Sequence, residues 1–435
     1  MKKYSIVHIA VFLIIANTLS AQEVLRLNDA LKIGLENGYA IRMAQNDMQI
    51  ATNNNSYGNA GFFPKLDATI GGNFRNTNEE TTLLDGSTKT NSPSTVTGTA
   101  GLSLSWTLFD GMRMFVEKEK LDLVRNISEV ELRVNIENTT AQIIILYNAI
   151  NLQKQLVNVF SEAMKISEKR VEIARKAKNI GSGSDVALLK AEVDYKTDSS
   201  NMVQQQLYLQ NYKADLNQTM GRDPSLDFEI EPIPFESDLL SFASIQQKAL
   251  EQNPKLVATR YQQSISELSI KEARSFQLPQ ISLNSSYTIN QYNYSNGTND
   301  KLSTHGPYIG FTAGITLFNG FNVKRNIKNA RFLQNNALLQ TQQAEQAIRT
   351  DILKVYNTYQ TSNSLVIIEK KALALAKRNL DIAIRAYEVG SISDIEMRDT
   401  QKNYIDVSYR LLNAQISLKN AEVELKRISG LLIYQ

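Results

Sequence analysis

Side chains able to do covalent or metal chemistry are scarce in this 435-residue chain. It has no cysteine and two histidines, His8 and His305, and His305 stands in a polar stretch with no nucleophile motif around it. Gly71-Gly72 lacks the lysine and helix start of a phosphate loop, and Glu79-Glu80 reads as solvated loop charge. The pair with chemical promise is Glu396 and Asp399, which lie six and nine residues after Gly390 and so share one helix face. Taken alone, such a pair is most simply a solvated helix face. The expectation is therefore no enzyme, no cofactor, no metal site and no catalytic residue. The chain also carries no nucleotide-binding motif.

The segment around Gly390 is itself informative, because "VGSISDIEMRD" from Val389 closely repeats "IGSGSDVALLK" from Ile180. Each phrase ends a run of 69 residues without Gly or Pro, 112–180 and 321–389. Gly111, Gly181 and Gly221 are followed 209 residues later by Gly320, Gly390 and Gly430. The chain thus reads as a tandem duplication, 22–221 and 244–435, joined by a linker at 222–243. If helical, each 69-residue run would span about 100 Å. Ile166, Ile173 and Ile180, matched by Leu375, Ile382 and Val389, recur every seventh residue, which implies local coiled-coil packing. The glycine stops each run, and Ser184-Asp185 or Ser393-Asp394 offers an N-cap to a returning helix. Long helical hairpins are expected at 112–220 and 321–429.

Upstream of each run the apolar period falls to two. Helical segments from about Leu27 to Tyr57 and Ser244 to Phe276 lead into strand hairpins at 64–109 and 279–318. Leu66, Ala68, Ile70 and Phe74 alternate with polar or small residues, as do Val96, Ala100, Leu102, Leu104, Trp106 and Leu108. The second copy offers Ile281, Leu283, Tyr287 and Ile289, then Ile309, Phe311, Ala313, Ile315 and Leu317. Strands of about 11 residues suit a tilted crossing of a bilayer. A soluble antiparallel sheet would alternate in the same way. The polar face, built of Thr, Ser, Gly and Asn with almost no charge, favours a water-filled lumen, and loops at 76–93 and 293–306 would then face outward. Four strands cannot close a barrel, so copies must supply the rest: two chains give eight strands, three give twelve, and the larger count leaves room for a conduit.

Residues 1–21 read as a secretory signal peptide, with Lys2-Lys3, a short apolar core from Ile6 to Ile15, and Ala21 at the cleavage position. Formal charge is +3, from 47 basic and 44 acidic residues. Removing Lys2 and Lys3 leaves 45 against 44, or +1, so bulk charge argues against nucleic acid as a partner.

This layout, with "TLFDG" and "TLFNG" leaving the second strand of each hairpin and "IGS" and "VGS" at the helical turns, resembles the TolC-like outer membrane efflux proteins. The resemblance implies an α+β membrane protein. Its homotrimer would carry a twelve-stranded transmembrane β-barrel, four strands per chain, continuous with a periplasmic α-helical barrel. It implies an exit duct of a tripartite efflux or type I secretion system, joined to an inner-membrane pump through a periplasmic adaptor. It further implies that Ile180, Gly181, Ser182, Val389, Gly390 and Ser391 are tips that contact the adaptor. Glu396 and Asp399 match the acidic pair lining the family's periplasmic aperture, and Tyr387 matches a gate residue. Ile392 stands where the compared family member has an arginine, and Ala187 where it has an acid, so the links that hold that member closed are absent or rewired here. A soluble periplasmic coiled-coil adaptor or structural protein is the alternative; it accounts for the helices and signal peptide but not for two hairpins of membrane length.

Overall fold

The computed structural model describes residues 24–92, 94–235, 238–295 and 300–432, so the signal peptide expected at 1–21 lies outside the described residues. In chain order the elements are β1 (Val24–Leu25), α1 (Leu27–Asn37), α2 (Tyr39–Asn54), β2 (Lys65–Asn76), β3 (Glu79–Thr82), β4 (Thr88–Asn91), β5 (Ser94–Asp110), α3 (Arg113–Asn179), α4 (Asp185–Thr219), β6 (Glu229–Ile230), α5 (Phe242–Gln252), α6 (Pro254–Ser275), β7 (Gln280–Tyr294), β8 (Lys301–Gly314), α7 (Asn322–Glu388) and α8 (Asp394–Ile428). Helices α3 and α7 are each 67 residues long, and α4 and α8 each 35. The chain forms two compact units, each drawing on both halves of the sequence: one within Met1–Asn46, Val130–Val257 and Gln343–Gln435, the other Asp47–Glu129 and Ala258–Gln342.

The first unit is helical. One core gathers Ile143, Leu146, Tyr147 and Ile150 of α3 with Leu216 of α4 and with Leu25 and Ile230 of a short parallel β1–β6 pair. Tyr147 Oη donates to the Leu25 carbonyl, tying that pair to the helix at 2.9 Å. A second core gathers Ile245, Ala249 and Leu256 with Ile348, Ile352 and Tyr359 of α7 and Leu411, Leu418 and Leu425 of α8. The segments expected as single helices are each broken once. Gly38 separates α1 from α2, and Asn253 separates α5 from α6, its side chain bonding the Leu256 amide and the Ile428 carbonyl.

The second unit holds a four-stranded antiparallel sheet, ordered β2-β5-β7-β8. Its register explains the alternation. Leu66 faces Leu104, Ile70 faces Ala100 and Phe74 faces Val96, while Thr69, Gly71 and Asn73 face Gly101, Thr99 and Thr97 on the other side. Because side chains alternate faces along a strand, one face is apolar and the other is hydroxyl- and glycine-rich. On the apolar face Ile70, Phe74, Ile309 and Phe311 are largely exposed. Among the described residues no helix is long and apolar enough to cross a membrane.

Five strand expectations are corrected. The strands have 12, 17, 15 and 14 residues rather than about 11. The loop expected at 293–306 is mostly strand, because the Asn-, Tyr- and Thr-rich stretch keeps its alternation and pairs from Asn293↔Lys301 inward. A bulge between Thr107 and Phe109 sets Phe109, not Leu108, opposite Ile281. Strand β8 stops at Gly314, so Ile315 and Leu317 fall beyond it. Within 76–93 a small hairpin forms from β3 and β4.

Candidate functional site at the turns of the long helices

Both long helices end in the same way. Gly181 and Gly390 have φ of +77° and +73°, a conformation that costs a glycine little. The Gly181 amide donates to the Lys178 carbonyl at 3.0 Å and the Ser182 amide to Ala177 at 2.9 Å. The Gly390 amide donates to Tyr387 at 3.1 Å and the Ser391 amide to Ala386 at 2.9 Å. These crossed bonds form a Schellman cap, which satisfies helix-end carbonyls. The Ser182 and Ser391 hydroxyls donate back to the Ala177 and Ala386 carbonyls. Ile180 and Val389 are each 79% exposed, and a Cβ on Gly181 or Gly390 would meet nothing within 4 Å. The turns therefore present small, open backbone flanked by one bare aliphatic side chain.

The return helices begin on serine caps. Ser184 Oγ accepts from the Ala187 amide at 3.2 Å. Ser393 Oγ accepts from the Glu396 amide at 3.3 Å, while Glu396 Oε2 accepts from the Ser393 amide at 2.8 Å, completing a capping box. The turns differ at one position. A Cβ on Gly183 would lie 2.9 Å from the Lys178 nitrogen, so the first turn folds tightly onto its own helix. Its counterpart Ile392 instead packs beside Leu380, Met397 and Tyr404.

Of the expected aperture residues, Glu396 and Asp399 are exposed and Tyr387 is half-buried. The Ser393 backbone N–H, then its hydroxyl, holds the Glu396 carboxyl below its ordinary range. Tyr387 points inward and donates to Asp394 Oδ1 at 3.2 Å; burial, then the neighbouring carboxylate, pushes its phenol up. Ala187 is exposed at the start of α4.

Just behind the turns lies a buried ionic cluster that the sequence reading missed. Arg170 of α3 is 1% exposed and donates to Asp394 of α8 at 2.6 Å and to Asp194 of α4 at 3.1 Å. Burial opposes its charge, but the two carboxylates outweigh that and raise its pKa. Arg398 of α8 grips Asp198 of α4 through both Nη atoms, at 2.6 and 3.0 Å. Ser167 also donates to Asp198, and the buried Gln401 donates to Asp198 and to the Ala163 carbonyl. The cluster joins α3, α4 and α8, and Tyr387 links α7 to it. Asp194/Asp198 and Asp394/Arg398 are each four residues apart, a spacing that places them on one helix face but does not say that this face is covered. Among the described residues no group of His, Cys, Asp and Glu is placed to hold a metal.

The family model described as "Outer membrane efflux protein" matches residues 31–222 and 245–431. "Outer membrane protein TolC" of Salmonella enteritidis is 23% identical over 343 residues, covering 77% of this chain and 69% of that protein. Among solved structures, the outer-membrane channel OprN superposes with a TM-score of 0.74 at 13% identity, covering 93% of this chain and 89% of that one. The outer membrane protein VceC of Vibrio cholerae gives 0.72 at 15% identity, covering 93% and 96%.

Proposed function

The chain belongs to the outer membrane efflux protein family, and from that premise we propose that it is the exit duct of a tripartite efflux or type I secretion system. It is an outer membrane channel protein with a large periplasmic portion. In the proposal three copies join their sheets into a twelve-stranded barrel, the hydroxyl-rich face lines the lumen, and the β3–β4 hairpin faces the exterior together with the end of the sheet where Asn293 pairs with Lys301. The two glycine turns meet a periplasmic adaptor, which couples the duct to an inner-membrane pump. The duct itself is passive, and the two halves of the chain are tandem copies of one unit.

The observation that carries this reading is the sheet's open edges. Among the described residues β2 and β8 each have one hydrogen-bonded neighbour strand, so each leaves the sheet with an open edge. An edge of that kind is untenable in lipid. Because β2 and β8 run in opposite directions, β8 of one copy can continue the antiparallel sheet with β2 of the next, which closes a ring without any new strand.

Planar-bilayer recording tests the duct and its aperture together. Purified protein should give discrete conductance steps with cation preference and block by trivalent cations. Glu396→Gln/Asp399→Asn should weaken both, and glutamine can keep the capping box intact, so the helix start survives. Absence of conductance would contradict the duct; unchanged selectivity and block would remove these carboxylates from the constriction.

A further inference from the structure

Four long helices cross the first unit, and their bonds set which of them lie outermost. Helix α4 bonds α3 through Gln153–Gln205 and Arg170–Asp194, and bonds α8 through Asp198–Arg398. Helix α7 bonds α8 through Glu369–Arg410 and α3 through Glu388–Lys169. The outer faces of α4 and α7 carry apolar rows. On α4 the row is Val186, Leu189, Val193, Val203 and Leu207, all at least half exposed. On α7, Ile368, Leu375 and Ile382 are 58, 70 and 55% exposed. Steps of three and four residues separate successive positions of both rows once Lys196, Ser200, Ala372, Asn379 and Ala386 are included, which is the seam pattern of a coiled coil. An open groove of about 560 Å³ runs along the α4 row, lined by Leu189, Val193, Lys196 and Ser200.

The two rows complement each other. In one antiparallel register Leu189 meets Ala386 and Val203 meets Ala372, large against small. Ser200 meets Leu375, small against large, and the only charged residue of one row, Lys196, meets the only amide of the other, Asn379. Sliding by one heptad either way sets Asn379 against Leu189 or Val203, burying its amide against an aliphatic side chain. A single polar layer in an apolar seam is the usual device for fixing register. We propose that α4 of one copy seats on α7 of the next, and that Lys196 and Asn379 pair across this seam to set its register. The contact joins two different faces of the same chain, so it propagates head to tail, and the sheet-to-sheet pairing proposed above is what closes it as a ring. The inference rests on the ring assembly proposed above.

The chain has no cysteine, so introduced thiols report cleanly. Val193→Cys/Ile382→Cys should give an intermolecular disulfide in the membrane. Val193→Cys/Leu375→Cys should not, because a heptad shift displaces the partner by about 10 Å, beyond the roughly 7 Å Cα separation a disulfide tolerates. In the first background, Lys196→Leu or Asn379→Leu alone should lower the disulfide yield, and Lys196→Leu/Asn379→Leu should restore it, since both sides of the layer are then apolar. A trimer by mass that forms no Val193–Ile382 disulfide, or forms both disulfides equally, would overturn the seam while leaving the assembly standing. Independent effects of the two leucine substitutions would overturn the polar layer. A monomer by mass with no disulfide would overturn the assembly and the seam together.

Discussion

At the scale of single residues, the structure redirects attention from the exposed carboxylates to the buried ones. Glu396 and Asp399 were visible in the sequence because their spacing from Gly390 is local. Arg170, Asp194, Asp198, Asp394 and Arg398 were not, because their meaning depends on partners up to 224 residues away in the chain. Charged residues are rarely fully buried unless paired, and periodicity marks apolar faces rather than polar ones. Arg398→Ala should leave Asp198 buried without its cation and cost about 3–5 kcal/mol, the range for breaking a buried pair from one side. Lys169→Ala, which removes an exposed pair with Glu388, should cost about 0–1 kcal/mol. Thermal loss of helical circular dichroism in detergent would show the difference; equal midpoints for the two variants would mean that the buried cluster does not stabilise the fold.

At the scale of elements, helix ends were read closely and strand ends were not. Glycine and serine announce where a long helix stops and the next one starts, and the turns fall at Gly181 and Gly390 with Ser184 and Ser393 as N-caps. A strand whose polar face is Asn, Ser, Thr and Tyr looks like a loop when read alone. Only cross-strand pairing shows that β7 and β8 continue to Tyr294 and Lys301. The turns also make a prediction. Since a Cβ at Gly181 or Gly390 meets nothing within 4 Å, Gly181→Leu/Gly390→Leu introduces no clash, and its internal cost is the left-handed backbone alone, about 1–2 kcal/mol per residue. Export measured in cells with the cognate pump should nevertheless fall sharply, with assembly and outer membrane recovery retained, because the bulky side chains block close approach of an adaptor. Full export by this variant would show that the turns are not the docking surface.

At the scale of the whole molecule, one chain is chemically incomplete in two places. Among the described residues the sheet ends at edge strands β2 and β8, and the helical unit leaves apolar rows on α4 and α7. In the proposed assembly both features are accommodated by the same operation, a head-to-tail contact with another copy. The proposed copy number is three, since four strands per chain reach a conduit-sized closure at twelve. The most direct measurement is the mass of the detergent-solubilised protein by light scattering with the detergent contribution subtracted. The account requires three chains per particle. A stable monomer, or a dimer whose eight strands leave only a side-chain-filled interior, would contradict it.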